Sequence, residues 1–402
     1  MSLLDSLTAR AVRPLLPAIL RDLDRGQLRV TFPNGDRTTI GSANTGPEAD
    51  VRINDERFFR HVLVHGEIGF AEAYMDRLWE TDDLVTVLQL ALENRQKVDR
   101  RAAWLAGVSG VLDRRRHVLS KPNSLDGSRR NITFHYDLSN DFYKLWLDES
   151  LIYSCAVWNS PEETLEQAQR NKCRMLSEKA GICAGQRILD IGGGWGAYAR
   201  FAAATYGCRV TMANVSHAQV ELARELVVKE GLEQLVDVRF QDYREVEGLF
   251  DAIVVMGMIE QVGAGYYRTF FECVDRCLKP GGRFVLQTIT VPDESFAALR
   301  DGVNFMQKYI FPGGMLPSLA AIREASAGTS LVICDIEEIG PHYVRTMHEW
   351  RARFWANIDA IKALGFDDER FIRMWDYYLA SSEACFITRT TGDSQIIFEK
   401  PG

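Results

Sequence analysis

The residues best placed to do chemistry sit at one junction. A β-type run, Arg187-Ile188-Leu189-Asp190-Ile191, leads straight into Gly192-Gly193-Gly194-Trp195-Gly196 and then into a helical segment over 197–206. Glycines at such a junction let the backbone pass close to a ligand at the carboxyl edge of a sheet, where doubly wound folds bind nucleotides. A dinucleotide fingerprint places its acid at the end of the second strand. Here the acid precedes the glycines, at Asp190, and Asn214 stands in the later position. A further pair, Asp242-Tyr243, follows the third strand-like run, where an adenine can be contacted. The chemistry indicated is the binding of a nucleoside-bearing cofactor that is not a dinucleotide.

The elements that must hold these residues alternate. Strand-like runs at 187–191, 210–213, 236–240, 252–256 and 284–290 are separated by helical segments, which predicts a parallel sheet covered on both faces. Lys279-Pro280-Gly281-Gly282 reads as a helix-to-strand turn. Ahead of this region, 27–32 and 37–40 are β-like and flank Pro33-Asn34-Gly35-Asp36, a hairpin signal. A strand at 51–53 and helices at 55–64, 67–78 and 82–93 complete a small α+β domain, and 1–25 reads as an amphipathic helix. The predicted organisation is an N-terminal α+β domain over 1–95, a basic linker over 96–130 and a catalytic domain over 131–402.

The 402 residues are 46% hydrophobic and 25% charged, a globular balance with a net charge of −8 that argues against nucleic acid as a partner. Charge is unevenly spread. Between Arg95 and Arg130, ten Lys or Arg face three Asp, a local +7 suited to an anionic membrane surface. No apolar run reaches the ~20 residues of a membrane span and the first ten residues lack signal-peptide order, so a cytoplasmic, peripherally membrane-associated protein is expected. Eight cysteines without a Cys-x-x-Cys pair read as free thiols, mostly buried, and no metal site is indicated. His342 and His135 read as structural residues.

The strand, its acid and the glycine turn resemble the Asp-x-Gly-x-Gly-x-Gly motif of class I S-adenosylmethionine-dependent methyltransferases. A narrower resemblance rests on several segments in order over about 131–400. They are His135-Tyr136-Asp137-Leu138-Ser139-Asn140-Asp141-Phe142-Tyr143, Tyr153-Ser154-Cys155-Ala156, Ser216-His217-Ala218-Gln219, Gly257-Met258-Ile259-Glu260-Gln261-Val262-Gly263, Lys308-Tyr309-Ile310-Phe311-Pro312-Gly313-Gly314, Leu316-Pro317-Ser318 and His342-Tyr343. Together they resemble the cyclopropane-fatty-acyl-phospholipid synthases and mycolic acid methyltransferases.

That resemblance implies an α/β fold: a doubly wound, mostly parallel seven-stranded sheet with a small N-terminal α+β domain and a lid insertion. It implies S-adenosylmethionine as cofactor, held by Tyr153, Ser154, Asp190, Gly192, Gly193, Gly194, Trp195, Gly196, Asn214, Ser216, Gln219, Asp242 and Tyr243. The reaction implied is attack of a cis olefin of a phospholipid acyl chain on the cofactor's methyl group. Such a site must be dry and lined with aromatic faces that tolerate positive charge, and Phe305, Tyr309, Phe311, Trp350 and Phe354 are the substrate-lining candidates. A base must then remove a proton from the former methyl group. In the family this is a bicarbonate, implied here at Cys155, Glu260, Tyr343 and the amide of Ile289, with Gln287 where the family's Leu-His-Thr-Ile pattern has its His. Gln261 and Gly193 also depart from the family, which has a His and a Cys there. These departures leave the cofactor residues intact and change the part that handles the proton. Two products are therefore carried: a cyclopropane, or a methyl-branched or furan-precursor fatty acid formed without ring closure. A catalytically impaired lipid-binding homologue is the third reading. A homodimer is implied by the family alone.

Overall fold

A computed structural model describes residues 23–95 and 139–402. The amphipathic segment 1–22, the basic stretch 96–130 and the segment 131–138 with His135 lie outside the described residues. The chain divides into two compact units, the first comprising 23–95 with Val303–Ile310 and Asp359–Thr390, the second 139–302 with Phe311–Ile358 and Thr391–Gly402.

In the first unit, β1 (Gln27–Thr31) and β2 (Arg37–Gly41) form the expected antiparallel hairpin, turning at Gly35 with φ 86°. β3 (Glu48–Ile53) runs parallel to β1 and pairs antiparallel with β4 (Trp79–Glu80), giving the order β2-β1-β3-β4. Val30, Ile40, Val51 and Ile53 turn inward at the two-residue period of a half-buried sheet. The helical readings at 55–64 and 67–78 form one run, α1 (Arg57–Met75), broken at Gly66, whose φ of 55° and ψ of −127° depart from the helix. α2 (Leu84–Glu93) is capped by the Asp83 carboxylate, which accepts from the Thr86 amide. The late helix Glu369–Ile387 belongs to this unit, and its Asp376 Oδ2 accepts from the Tyr74 hydroxyl at 2.6 Å.

The second unit is built on a seven-stranded sheet. β5 (Arg187–Ile191), β6 (Arg209–Asn214), β7 (Val236–Phe240), β8 (Phe250–Met256) and β9 (Leu278–Thr290) are parallel; β11 (Gly392–Glu399) is antiparallel to β9, and β10 (Val332–Glu338) to β11. The order is β10-β11-β9-β8-β5-β6-β7. Alternate residues feed separate cores. Leu189, Ile191, Ile253, Val255, Phe284 and Leu286 enter one, while Ile188, Val210, Val254 and Val285 enter the other. Helices therefore cover both faces, as the sequence alternation requires. They include α3 (Leu165–Ala180), α4 (Ala197–Tyr206), α5 (His217–Lys229), α6 (Tyr267–Cys277) and α7 (Gly340–Ala356).

One local expectation is corrected. Lys279-Pro280-Gly281-Gly282 is part of β9, not a turn before it, because the pairing with β8 shifts register between Phe250 and Ala252 and accommodates the extra residues. Gly281 takes φ 76° there and its amide donates to the Lys400 carbonyl at 2.7 Å. Among the described residues all eight cysteines are free, five of them buried.

Candidate active site

β5 delivers Asp190 and Ile191 to the carboxyl edge of the sheet, and the chain leaves through Gly192, Gly194 and Gly196 with φ of 76°, 56° and 80°. That left-handed backbone is open to glycine and strained for other residues. Space is as restrictive as conformation. A Cβ on Gly192 would lie 2.5 Å from Met258 Cγ, and one on Gly193 would lie 2.4 Å from Asp190 Oδ2. Asp190 is 1% exposed, and neither carboxylate oxygen has a hydrogen-bond partner. Burial pushes its carboxyl up to about 7. An orphaned buried carboxylate is a receptor for a cationic group, and S-adenosylmethionine carries an ammonium and a sulfonium.

Asn214, at the end of β6, explains why no acid is needed there. Its Oδ1 accepts from the amides of Val215 (2.7 Å) and Ser216 (3.2 Å), and its Nδ2 donates to the Gly194 carbonyl (3.0 Å) and Gln219 Oε1 (2.9 Å). The amide thus ties β6 to the glycine turn. Ser216 caps α5 by accepting from the Gln219 amide, and Trp195 Nε1 donates to Asn140 Oδ1 at 2.7 Å. Asp242, after β7, accepts from the Arg244 guanidinium and amide, which fixes the turn that carries Tyr243.

The loop after β8 lies beside these residues. Gly257 approaches Ser154, since a Cβ on it would stand 3.5 Å from Ser154 Cβ. Glu260, on the short turn Ile259–Gln261, is 5% exposed; its Oε1 accepts from Thr288 Oγ1 (2.9 Å) and the Ile289 amide (2.7 Å), and its Oε2 has no partner. Burial raises its carboxyl above the ordinary range. Gln287 Nε2 donates to the Cys155 carbonyl (3.4 Å) and to Asp393 Oδ2 (3.0 Å), while its Oε1 accepts from Gln395 Nε2 (3.2 Å). Asp393 is 1% exposed, its Oδ1 is unpartnered, and burial followed by repulsion from Glu260 pushes its carboxyl up to about 8. The Cys155 thiol, fully buried and facing Asp393, is raised well above its ordinary value by burial. Lys172 is fully buried and donates to Ser154 Oγ at 2.6 Å; burial lowers its amine.

Aromatic rings crowd the same region. Trp350 lies 5.3 Å from Tyr153, 6.0 Å from Tyr343 and 5.8 Å from Trp146 between ring centroids, and Tyr153 lies 6.5 Å from Phe311. Phe354 packs on Phe142 at 6.5 Å. Phe305 and Tyr309 belong instead to the first unit. Phe305 packs on Tyr377 at 4.8 Å, and the Tyr309 hydroxyl donates to Glu72 Oε1 at 2.6 Å. His342 Nδ1 accepts from the Trp158 amide at 3.2 Å, so this histidine has the structural role read from the sequence. Among the described residues no His, Cys, Asp and Glu group is arranged to hold a metal ion.

Residues 123–396 match the family described as mycolic acid cyclopropane synthetase. The chain belongs to this family. It is 38% identical over 368 residues to a tuberculostearic acid methyltransferase of Mycobacterium tuberculosis, covering 89% of this chain and 84% of that one. It is 36% identical over 368 residues to a cyclopropane-fatty-acyl-phospholipid synthase of Escherichia coli K12, covering 89% of each. Among solved structures, a mycolic acid cyclopropane synthase complexed with SAH and CTAB superposes with a TM-score of 0.63 at 29% identity, over 68% of this chain and 98% of that one. The protein is an S-adenosylmethionine-dependent methyltransferase, and the seven-stranded sheet matches the fold of that solved synthase.

Two polar residues of this synthetase family member escaped the sequence reading. Lys172 sits on the buried face of α3 with Leu165, Ala168, Gln169, Cys173 and Leu176. A lysine in that stripe is the signal that could have found it. Asp393 carried no comparable signal, being one polar residue in the polar first half of β11.

Proposed function

We propose that this enzyme transfers a methyl(ene) group from S-adenosylmethionine to the double bond of an unsaturated fatty acyl chain in membrane phospholipid, in the manner of a cyclopropane synthase. The observation that carries this is a continuous cluster of aromatic rings, Tyr343, Trp350 and Tyr153, linked through Tyr143 to Trp195 of the glycine turn. An unactivated alkene becomes a carbocation when it is methylated, and aromatic faces stabilise cations without competing as nucleophiles. The bound cofactor supplies an electrophilic methyl group. Asp190 attracts its cationic end, Asn214 and Ser216 hold the turn that receives it, and the aromatic rings exclude water from the reacting carbons. Names of relatives at 36–38% identity, a cyclopropane-fatty-acyl-phospholipid synthase and a tuberculostearic acid methyltransferase, agree with an acyl substrate.

A second product, a methyl-branched or furan-precursor chain, is favoured by Gln287, which hydrogen-bonds but cannot take up a proton as the family's His can in that position. No described helix is long and apolar enough to cross a membrane. In this reading the substrate is reached from the bilayer surface. The basic stretch over 95–130 supplies the attraction, each exposed Lys or Arg adding ~1 kcal/mol near anionic lipid. A homodimer would present two such stretches and gain avidity, which sedimentation of the full chain checks. The functional test is transfer of methyl label from S-adenosylmethionine to vesicles: label in unsaturated and none in saturated phosphatidylglycerol supports the proposal, and label in neither overturns it. Reversing Arg114, Arg115 and Arg116 to Glu should weaken binding to anionic vesicles and leave cofactor affinity alone.

A further inference from the structure

The groups through which the family resemblance would hold a bicarbonate do not fit one here. Both hydrogens of the Gln287 amide are engaged, by the Cys155 carbonyl and by Asp393 Oδ2. The Ile289 amide donates to Glu260 at 2.7 Å. Two buried carboxylates, Glu260 and Asp393, already face one another electrostatically, and a third anion beside them would be repelled.

Resting on the proposed olefin substrate, we infer that Asp393 is itself the proton acceptor of the reaction, its carboxylate standing in place of a bound bicarbonate and held in position by Gln287. Gln287 is then no failed histidine. Its Nε2 fixes Asp393 Oδ2, and its Oε1 is locked by Gln395, so the amide can present the carboxylate in one orientation only. Asp393 Oδ1 is left buried and without a partner, a lone pair held away from water. Glu260 also keeps one free oxygen, but its other oxygen takes two donors, Thr288 and the Ile289 amide, which stabilise the anion and weaken it as a base. Asp393 Oδ2 takes one side-chain donor, so Asp393 is the stronger base of the two.

The step balances without a further reagent. Attack of the alkene on the methyl group would form one C–C bond while the methyl C–S bond breaks, its electron pair staying on the sulfur of departing SAH, and would leave a carbocation on the chain. Asp393 Oδ1 removes a proton from the transferred methyl, and the C–H electron pair closes the second C–C bond; in the branched outcome a 1,2-hydride shift first moves the cation to the methyl-bearing carbon, and the same electron pair then forms a C=C bond to the former methyl carbon. The neutral carboxylic acid then returns its proton to water. The titratable groups facing Asp393 are Glu260 from the loop after β8, Lys172 from α3, Glu338 from β10 and the Cys155 thiol.

The test uses the full chain, vesicles of dioleoyl phosphatidylglycerol and labelled S-adenosylmethionine in carbon-dioxide-free buffer. The wild-type rate should be unchanged on adding bicarbonate. Asp393→Asn keeps the size and the Gln287 contact and should slow turnover by ~100-fold or more with SAH affinity intact, the usual effect of removing a general base. The wild-type rate should fall as pH drops below about 8, where Asp393 takes up a proton, and the residual rate of the variant should lack that limb. A wild type that needs added bicarbonate overturns the inference, whether or not the variant folds. So does a folded Asp393→Asn protein with wild-type turnover. A wild type that methylates no lipid overturns the assigned function itself, and the inference with it.

Discussion

Asp190 sets binding against stability, and replacing it by Asn separates the two. Its carboxyl is raised from 3.8 to about 7 by burial, with no donor on either oxygen. The native state therefore holds the proton more tightly than the unfolded chain. Below about pH 4 both states are protonated and there is no penalty; between about pH 4 and 7 the penalty grows; above that it is constant. At ~1.4 kcal/mol per unit, a shift of about three units destabilises the ligand-free protein by roughly 4 kcal/mol at pH 8. Asn carries no charge at any pH. Urea unfolding of the ligand-free proteins at pH 5 and pH 8 should show the stability difference moving in favour of Asp190→Asn by roughly 2–3 kcal/mol over that interval. Every other titrating group is common to both proteins and cancels. Calorimetric binding of SAH at pH 8 should move the other way, weakening at least ~30-fold, since truncating one partner of a buried charge pair costs about 2–5 kcal/mol. Parallel pH dependence of the two proteins, or undiminished SAH affinity in the variant, would refute the role given to this carboxylate.

Gly192→Ala places a methyl against Met258 in left-handed backbone and should lower stability by ~1–3 kcal/mol and weaken SAH binding, measured by thermal melting with and without SAH. Tyr74→Phe removes a donor from the buried Asp376 and should cost ~1.5–3 kcal/mol in urea unfolding without changing SAH affinity, because both residues belong to the first unit.

The parallel strands were legible because burial on both faces demands continuous apolar runs, as at Ile188-Leu189 or Ile253-Val254-Val255. The cofactor turn was legible because its backbone conformation leaves little but glycine. β11 was not. Asp393, Ser394 and Gln395 are polar yet buried, since the strand lies between β9 and β10 and its side chains find partners in Gln287 and Glu338. Hydropathy cannot report a residue whose burial is made tolerable by a partner a hundred positions away. The same holds for Val303–Ile310. There the Lys308 amine and Tyr309 hydroxyl find their common partner in Glu72 of α1, more than two hundred positions away. Lys279-Pro280-Gly281-Gly282 misled for a local reason: a turn and an irregular strand use the same residues.

In the proposed reaction a proton leaves the transferred methyl group within this site. Vesicles of unsaturated phospholipid, incubated with the full chain and methyl-deuterated S-adenosylmethionine without a reductant, report on it through mass spectrometry of the released fatty acids. Products should retain two of the three deuterons, because the base takes the third from the former methyl. Products retaining all three would contradict it and show that the proton leaves from the acyl chain.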